Sequence, residues 1–130
     1  MAISNEYQLS DFLNGKSEHT IMLFDRFVAM FKTLGEITLH PAKTMIGVEN
    51  EHKRIAWITQ LGKDFIHVVF PFKQEYPDNL CFRKIAQVHG DAHQYNHHFR
   101  MYLPEDLNEE VLCFMKMAYE EEIAKRISKK

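Results

Sequence analysis

Residues 55–72 read IAWITQLGKDFIHVVFPF, and the fold turns on them. Ile55, Trp57 and Thr59 alternate with Ala56 and Ile58, the two-residue period of a strand with distinct faces. Gly62, Lys63 and Asp64 then interrupt the run as a tight connection. The next run, 65–72, is almost wholly apolar and β-branched or aromatic, the composition of a central strand. Three residues leave no room for a helical crossover, so the two strands pair antiparallel.

The same period extends outward. Upstream, Ile37 and Leu39 alternate with Thr38 and His40 until Pro41, and Thr44, Ile46 and Val48 make another strand before a polar turn at 50–53. Downstream, Pro71, Pro77 and Asp78-Asn79 mark a longer loop, after which 82–89 and 95–102 flank a turn around Gly90 and Asp91. Short connections predict that successive strands pair in order. Before the strands, Ser10 is expected to cap a short turn closed by Asn14-Gly15, and Ser17 to cap a helix over 18–34. That helix carries Ile21, Phe24, Phe27, Val28, Phe31 and Leu34 at helical spacing, widened by Leu23 and Met30. After the strands, Pro104-Glu105-Asp106 opens a last helix, with Asn108 as a further cap candidate. Its stripe is Val111, Phe114, Met115, Ala118 and Tyr119, continued by Ile123, with Glu121–Lys125 and Glu122–Arg126 as i,i+4 pairs. The expectation is a single α+β domain over 1–130, helical at 10–34, stranded at 36–102 and helical again at 105–127. Its largely antiparallel five- to six-stranded meander is packed on one face by the N-terminal and C-terminal helices. An antiparallel sheet can leave its other face in water, and function is expected there.

Composition narrows the classes. With 45% hydrophobic and 12% aromatic residues, the 130-residue chain has ample material for one core. Sixteen basic against eighteen acidic residues give a net charge of −2, without the basic excess of a nucleic-acid binder. No apolar run is long enough to span a membrane, and the first ten residues lack the pattern of a signal peptide. Two cysteines, Cys81 and Cys113, are too few for a disulfide scaffold and sit among apolar neighbours, so a reducing, cytoplasmic setting is expected.

Histidine is the compositional oddity: there are eight, four of them at His89, His93, His97 and His98. Imidazole is the commonest protein ligand for transition metals, so His89 and His93 are candidate ligands for a divalent transition metal. Adjacent His97 and His98 on a strand point to opposite faces and cannot both join one site. The plainer reading is a set of polar hairpin histidines, and no cofactor is expected on that reading. Splitting 95–102 by face is more informative. Tyr95, His97, Phe99 and Met101 share one side; Asn96, His98, Arg100 and Tyr102 share the other. The second set can hold an anion or polar ligand, with Arg100 offering bidentate contacts to carboxylate or phosphate and His98 a proton near neutral pH. Lys43, Trp57 and His67 are candidate company on the same face. The alternatives are a solvated sheet face or one buried in a homodimer.

Other chemistries find little purchase. Glu49-Asn50-Glu51-His52-Lys53 contains an acid-x-Lys triplet of the sort metal-dependent nucleases use, but in a turn. Nucleophile-elbow, zincin, phosphate-loop and dinucleotide patterns are all missing from the sequence.

The order of segments resembles a bacterial family of domains of unknown function. The likeness is carried by Phe12-Leu13-Asn14-Gly15-Lys16-Ser17, Leu23-Phe24-Asp25-Arg26-Phe27, Leu34-Gly35, and Pro41-Ala42-Lys43-Thr44 leading into Ile46. It continues through Ile55-Ala56-Trp57, His97-His98-Phe99-Arg100-Met101, Leu103-Pro104-Glu105-Asp106-Leu107 and Ala118-Tyr119-Glu120. The resemblance implies a compact helix–strands–helix domain and carries no activity. It draws interest to Lys43, His98 and Arg100, which lie inside the matching segments. The expected function is a non-catalytic cytoplasmic module that binds a small polar or anionic molecule or a protein. Its ligand residues would be His98 and Arg100, with Lys43, Trp57 and Tyr102 in support. Neither nucleic acid nor membrane is expected as a partner, and a homodimer is possible. The competing expectation is a metal-binding protein or enzyme built on the histidines of 89–98.

Overall fold

The computed structural model describes residues 7–91 and 93–128, the side chains of 121–128 excepted. A short helix α1 (Leu9–Leu13) leads into α2 (Glu18–Lys32). Six strands come next: β1 (Thr38–Pro41), β2 (Ile46–Glu49), β3 (Arg54–Leu61), β4 (Ile66–Phe72), β5 (Phe82–Gln87) and β6 (Tyr95–Met101). A 3-10 turn at Pro104–Asp106 precedes the last helix, α3 (Glu109–Ser128). The sheet is open and every neighbouring pair is antiparallel, in the order β1-β2-β3-β4-β6-β5. The α+β class, the six antiparallel strands and the two long helices agree with the expectation from sequence.

Sequential pairing fails at one place. β6, not β5, lies against β4, so the 73–81 connection carries the chain past β6 and leaves β5 at the sheet edge. The reason is apolar content: β6 sets His97, Phe99 and Met101 against Phe70, Val68 and Ile66 in an unbroken buried ladder. β5 has no fully buried residue, and Arg83, Lys84 and Gln87 are exposed. A strand of that composition belongs at an edge.

The core occupies one face. Ile46 and Val48 of β2, Ala56 and Ile58 of β3, Ile66, Val68, Phe70 and Phe72 of β4, and Phe99 and Met101 of β6 meet Leu23, Phe24, Phe27 and Phe31 of α2 and Val111, Met115, Ala118 and Tyr119 of α3. The Ser17 hydroxyl caps α2 by accepting the Thr20 N–H at 3.0 Å. The Thr20 hydroxyl, fully buried, donates to the Gly62 carbonyl at 2.7 Å and so pins α2 to the β3–β4 turn.

Three local boundaries differ from expectation. Ser10 lies inside α1, whose first turn is closed by the Gln8 N–H donating to Asp11 Oδ2 at 3.2 Å. Pro104-Glu105-Asp106 does not begin α3: the Asp106 carboxylate accepts the N–H groups of Tyr102 and Leu103, which folds a separate turn. The helix starts after Asn108, whose Oδ1 accepts the Val111 N–H at 3.0 Å. The pairs expected at Glu121–Lys125 and Glu122–Arg126, and the stripe position Ile123, fall outside the described side chains. No described helix is long and apolar enough to cross a membrane.

Candidate functional site

With both long helices packed on one side, no described helix covers the opposite sheet face, and register decides which residues share it. Trp57 stands opposite Val69, and Val69 opposite His98; His67 stands opposite Arg100. Lys84 of the edge strand is the partner of His98. The sequence-derived split of β6 therefore holds: His97 is 0% exposed among core aromatics, and His98 and Arg100 are half-buried on the open side.

The centre of this face is a hydrogen-bonded chain. Arg100 Nε donates to His67 Nδ1 at 3.0 Å, and His67 Nε2 lies 2.9 Å from His98 Nδ1. An arginine only donates, so His67 Nδ1 must be the lone-pair nitrogen and the His67 proton resides on Nε2. That proton is given to His98 Nδ1, which places the His98 proton on Nε2. His98 Nε2 hydrogen-bonds to no described residue. One guanidinium thus sets the tautomers of two imidazoles in series.

The guanidinium is itself held in place. Its carbon lies 4.2 Å from the centroid of Phe65, a cation–π stack, and Nη1 approaches the Tyr102 hydroxyl at 3.4 Å. Phe65 also touches Tyr102, with ring centroids 5.5 Å apart. Gly62 makes room for this platform, since a Cβ there would overlap the Phe65 ring. Among the described residues Arg100 pairs with no carboxylate.

Electrostatics favour neutral histidines here. Burial pushes the His67 pKa down to about 4, helped by His98, Arg100, Arg83 and Lys84 in that order. His98 is lowered by burial, then by Lys84 and His97. Every charged group acting on His67 is cationic or becomes so on protonation, so among the described residues its surroundings are positive.

The expected residues fall at different distances from this centre. His98 and Arg100 form it, and Tyr102 borders it. Trp57 is on the same face two strands away, beneath Arg54, whose guanidinium carbon lies 4.3 Å from its ring centroid. Arg54 also pairs with Glu49 at 2.6 Å, so its charge is already answered. Lys43 sits exposed in the β1–β2 turn, three strands from β6, and meets none of the cluster. His89 and His93 belong to the β5–β6 connection. The His93 N–H is held by Asp91 Oδ1 at 2.9 Å, and the His93 side chain lines a depression of ≈ 360 Å³ shared with Trp57, Arg54 and Lys73. Among the described residues no group of three or more His, Cys, Asp or Glu is placed to hold a metal ion.

His67, expected from sequence as company on this face, joins the cluster, and it is the one titratable residue inside the apolar run 65–72. Phe65 leaves no signal, because its role depends on the turn and on the register of β6.

No curated protein and no solved structure matches the chain. A family profile does, over residues 9–122, a span that runs from α1 into α3 and includes every residue of the cluster. By that match the chain belongs to the family described as a domain of unknown function, DUF5655.

Proposed function

We propose that this protein is a non-catalytic module that captures a small oxyanion-bearing ligand, a phosphate or a carboxylate, on the open sheet face at His98 and Arg100. The observation that carries the reading is Arg100: a half-buried guanidinium with no carboxylate among the described residues, docked instead on a neutral imidazole nitrogen. A half-buried cation normally has an anionic partner, and a bound oxyanion would supply one here. The same face offers further donors: His98 Nε2–H at the other end of the hydrogen-bonded chain and the Lys84 ammonium on the strand paired with His98. The Tyr102 hydroxyl adds a fourth polar group. Planar arginine gives two parallel contacts to carboxylate or phosphate, which lysine does not.

Titration with inorganic phosphate, followed by amide chemical shifts, tests this. Shifts should cluster at His67, His98, Arg100 and Lys84. Arg100→Ala should weaken binding roughly ten- to a hundredfold, as the loss of charged hydrogen bonds worth about 1.5–3 kcal/mol implies. Phosphate binding unaltered in that variant, or shifts confined to the Lys43 turn, would overturn the proposal. Arg100→Lys, which keeps the charge and loses the fork, should fall between the two.

A further inference from the structure

The hydrogen-bonded chain holds two protons on the four ring nitrogens of His67 and His98, and its geometry fixes where an added proton ends. In the neutral pair, His67 Nε2 and His98 Nε2 hold the two protons and His98 Nδ1 accepts. A third proton on His98 Nδ1 faces the His67 Nε2 proton, so His67 must switch tautomer and carry that one proton on Nδ1 instead. One entering at His67 reaches Nδ1 directly. By either route a proton arrives at the atom on which Arg100 Nε leans. A protonated Nδ1 and an arginine N–H cannot face each other, so the protonated pair and the docked arginine exclude one another.

We infer that the site binds its oxyanion together with a proton: proton uptake by the His67–His98 pair undocks Arg100, and the bound anion stabilises the resulting cations. This rests on the anion reading of the same site and adds its regulation. The closed state is neutral at the pair, with Arg100 held on His67. The open state carries one more proton, drawn from solvent, and presents Arg100 Nε and a cationic imidazole to the ligand.

The surroundings support a steep coupling. His67 is paired in register with Arg100 of β6 and Gln60 of β3, and the charges that act on the His67–His98 pair are Arg100, Arg83 and Lys84, with His97 beside His98; among the described residues none of them is a carboxylate. Without an anion, the added proton meets only positive charge. With one, that penalty is reversed, and by linkage the proton must then strengthen anion binding by the same factor. Affinity therefore rises as pH falls, by at most tenfold per pH unit for one proton.

Sulfate is the probe of choice, because it keeps its double negative charge across this range where phosphate does not. Calorimetric titration with sulfate at pH 6, in buffers of different ionisation enthalpy, should report uptake approaching one proton per ion. Between pH 7.5 and pH 5.5 affinity should rise at least tenfold. His67→Gln offers Arg100 an acceptor oxygen and His98 an amide donor, mimicking the neutral ring without its titration. In that variant the change over the same interval should fall below threefold, whatever its absolute affinity. Sulfate binding to the wild type with no proton uptake and no pH dependence would overturn the coupling and leave the anion site standing. No sulfate binding at either pH would overturn both. Should His67→Gln fail to fold, the buffer series on the wild type decides alone.

Discussion

Two adjacent histidines on β6 have opposite fates, and the difference is the alternation of a strand. His98 looks outward into a cationic patch. His97 is fully buried between Phe72, Tyr76 and Phe82, donating from Nδ1 to the Tyr95 carbonyl at 2.9 Å and accepting the Tyr76 N–H at Nε2 at 3.1 Å. Both nitrogens are used, so the ring is neutral, and burial lowers its pKa. The Tyr76 contact ties the 73–81 connection to the sheet. His97→Phe keeps the ring and leaves two backbone groups unpaired, so it should cost roughly 1–3 kcal/mol in denaturant unfolding. The pH dependence has a definite sign. For His67, His97 and His98 the folded pKa lies below the unfolded one. The unfolded chain therefore binds more protons, and stability is complete above the unfolded value of about 6.5 and declines as pH falls toward 4. Denaturation midpoints measured from pH 8 to pH 5 should drop monotonically, and a flat profile would contradict the neutral assignment.

At the scale of elements, the strands and helices follow from local pattern, and their order in the sheet does not. The period of two through 46–72, the Ser17 cap and the aromatic stripe of α2 are written in neighbouring residues, and the structure keeps them. The exchange of β5 and β6 is not written locally: both runs look like strands, and only the comparison of their buried ladders against β4 chooses between them. The start of α3 is hidden for a related reason. Asp106 is well placed for a first helical turn in sequence, yet its carboxylate is taken by the N–H groups of Tyr102 and Leu103. The site is legible in the same uneven way. His98 and Arg100 follow from alternation within one strand, whereas Phe65 and His67 join them only through pairing and a turn. Position in the sheet also sets local stability. The amides of β4, flanked by β3 and β6 and buried at five of seven positions, should exchange with deuterium far more slowly than those of edge strand β5. Equal protection of the two would mean that the order is wrong. Gly62→Ala tests the turn: its Cβ would displace the Phe65 ring from under Arg100, so phosphate affinity should fall while the fold survives.

At the scale of the molecule, a chain with net charge −2 gathers cations around one point of its sheet, because the sheet sorts its residues by side. Arg83, Lys84 and Arg100 gather around the His67–His98 pair, and carboxylates such as Glu49 are engaged elsewhere. That arrangement opposes folding, since the cations are brought together without a counter-charge among the described residues. An anion that binds only the folded chain removes the opposition and stabilises by mass action, about 2.7 kcal/mol when its concentration is a hundred times its Kd. Thermal unfolding at pH 6 should therefore shift upward with added sulfate, and much less with chloride at equal ionic strength. General screening would act through ionic strength and treat the two salts alike, and the part of sulfate's action that comes from surface exclusion would persist in any variant. The decisive comparison is Arg100→Ala. If the site is real, the sulfate-specific part of the shift disappears in that variant and the exclusion effect remains. If wild type and variant respond equally, the ion acts on the whole surface and the open face is no more than a solvated sheet.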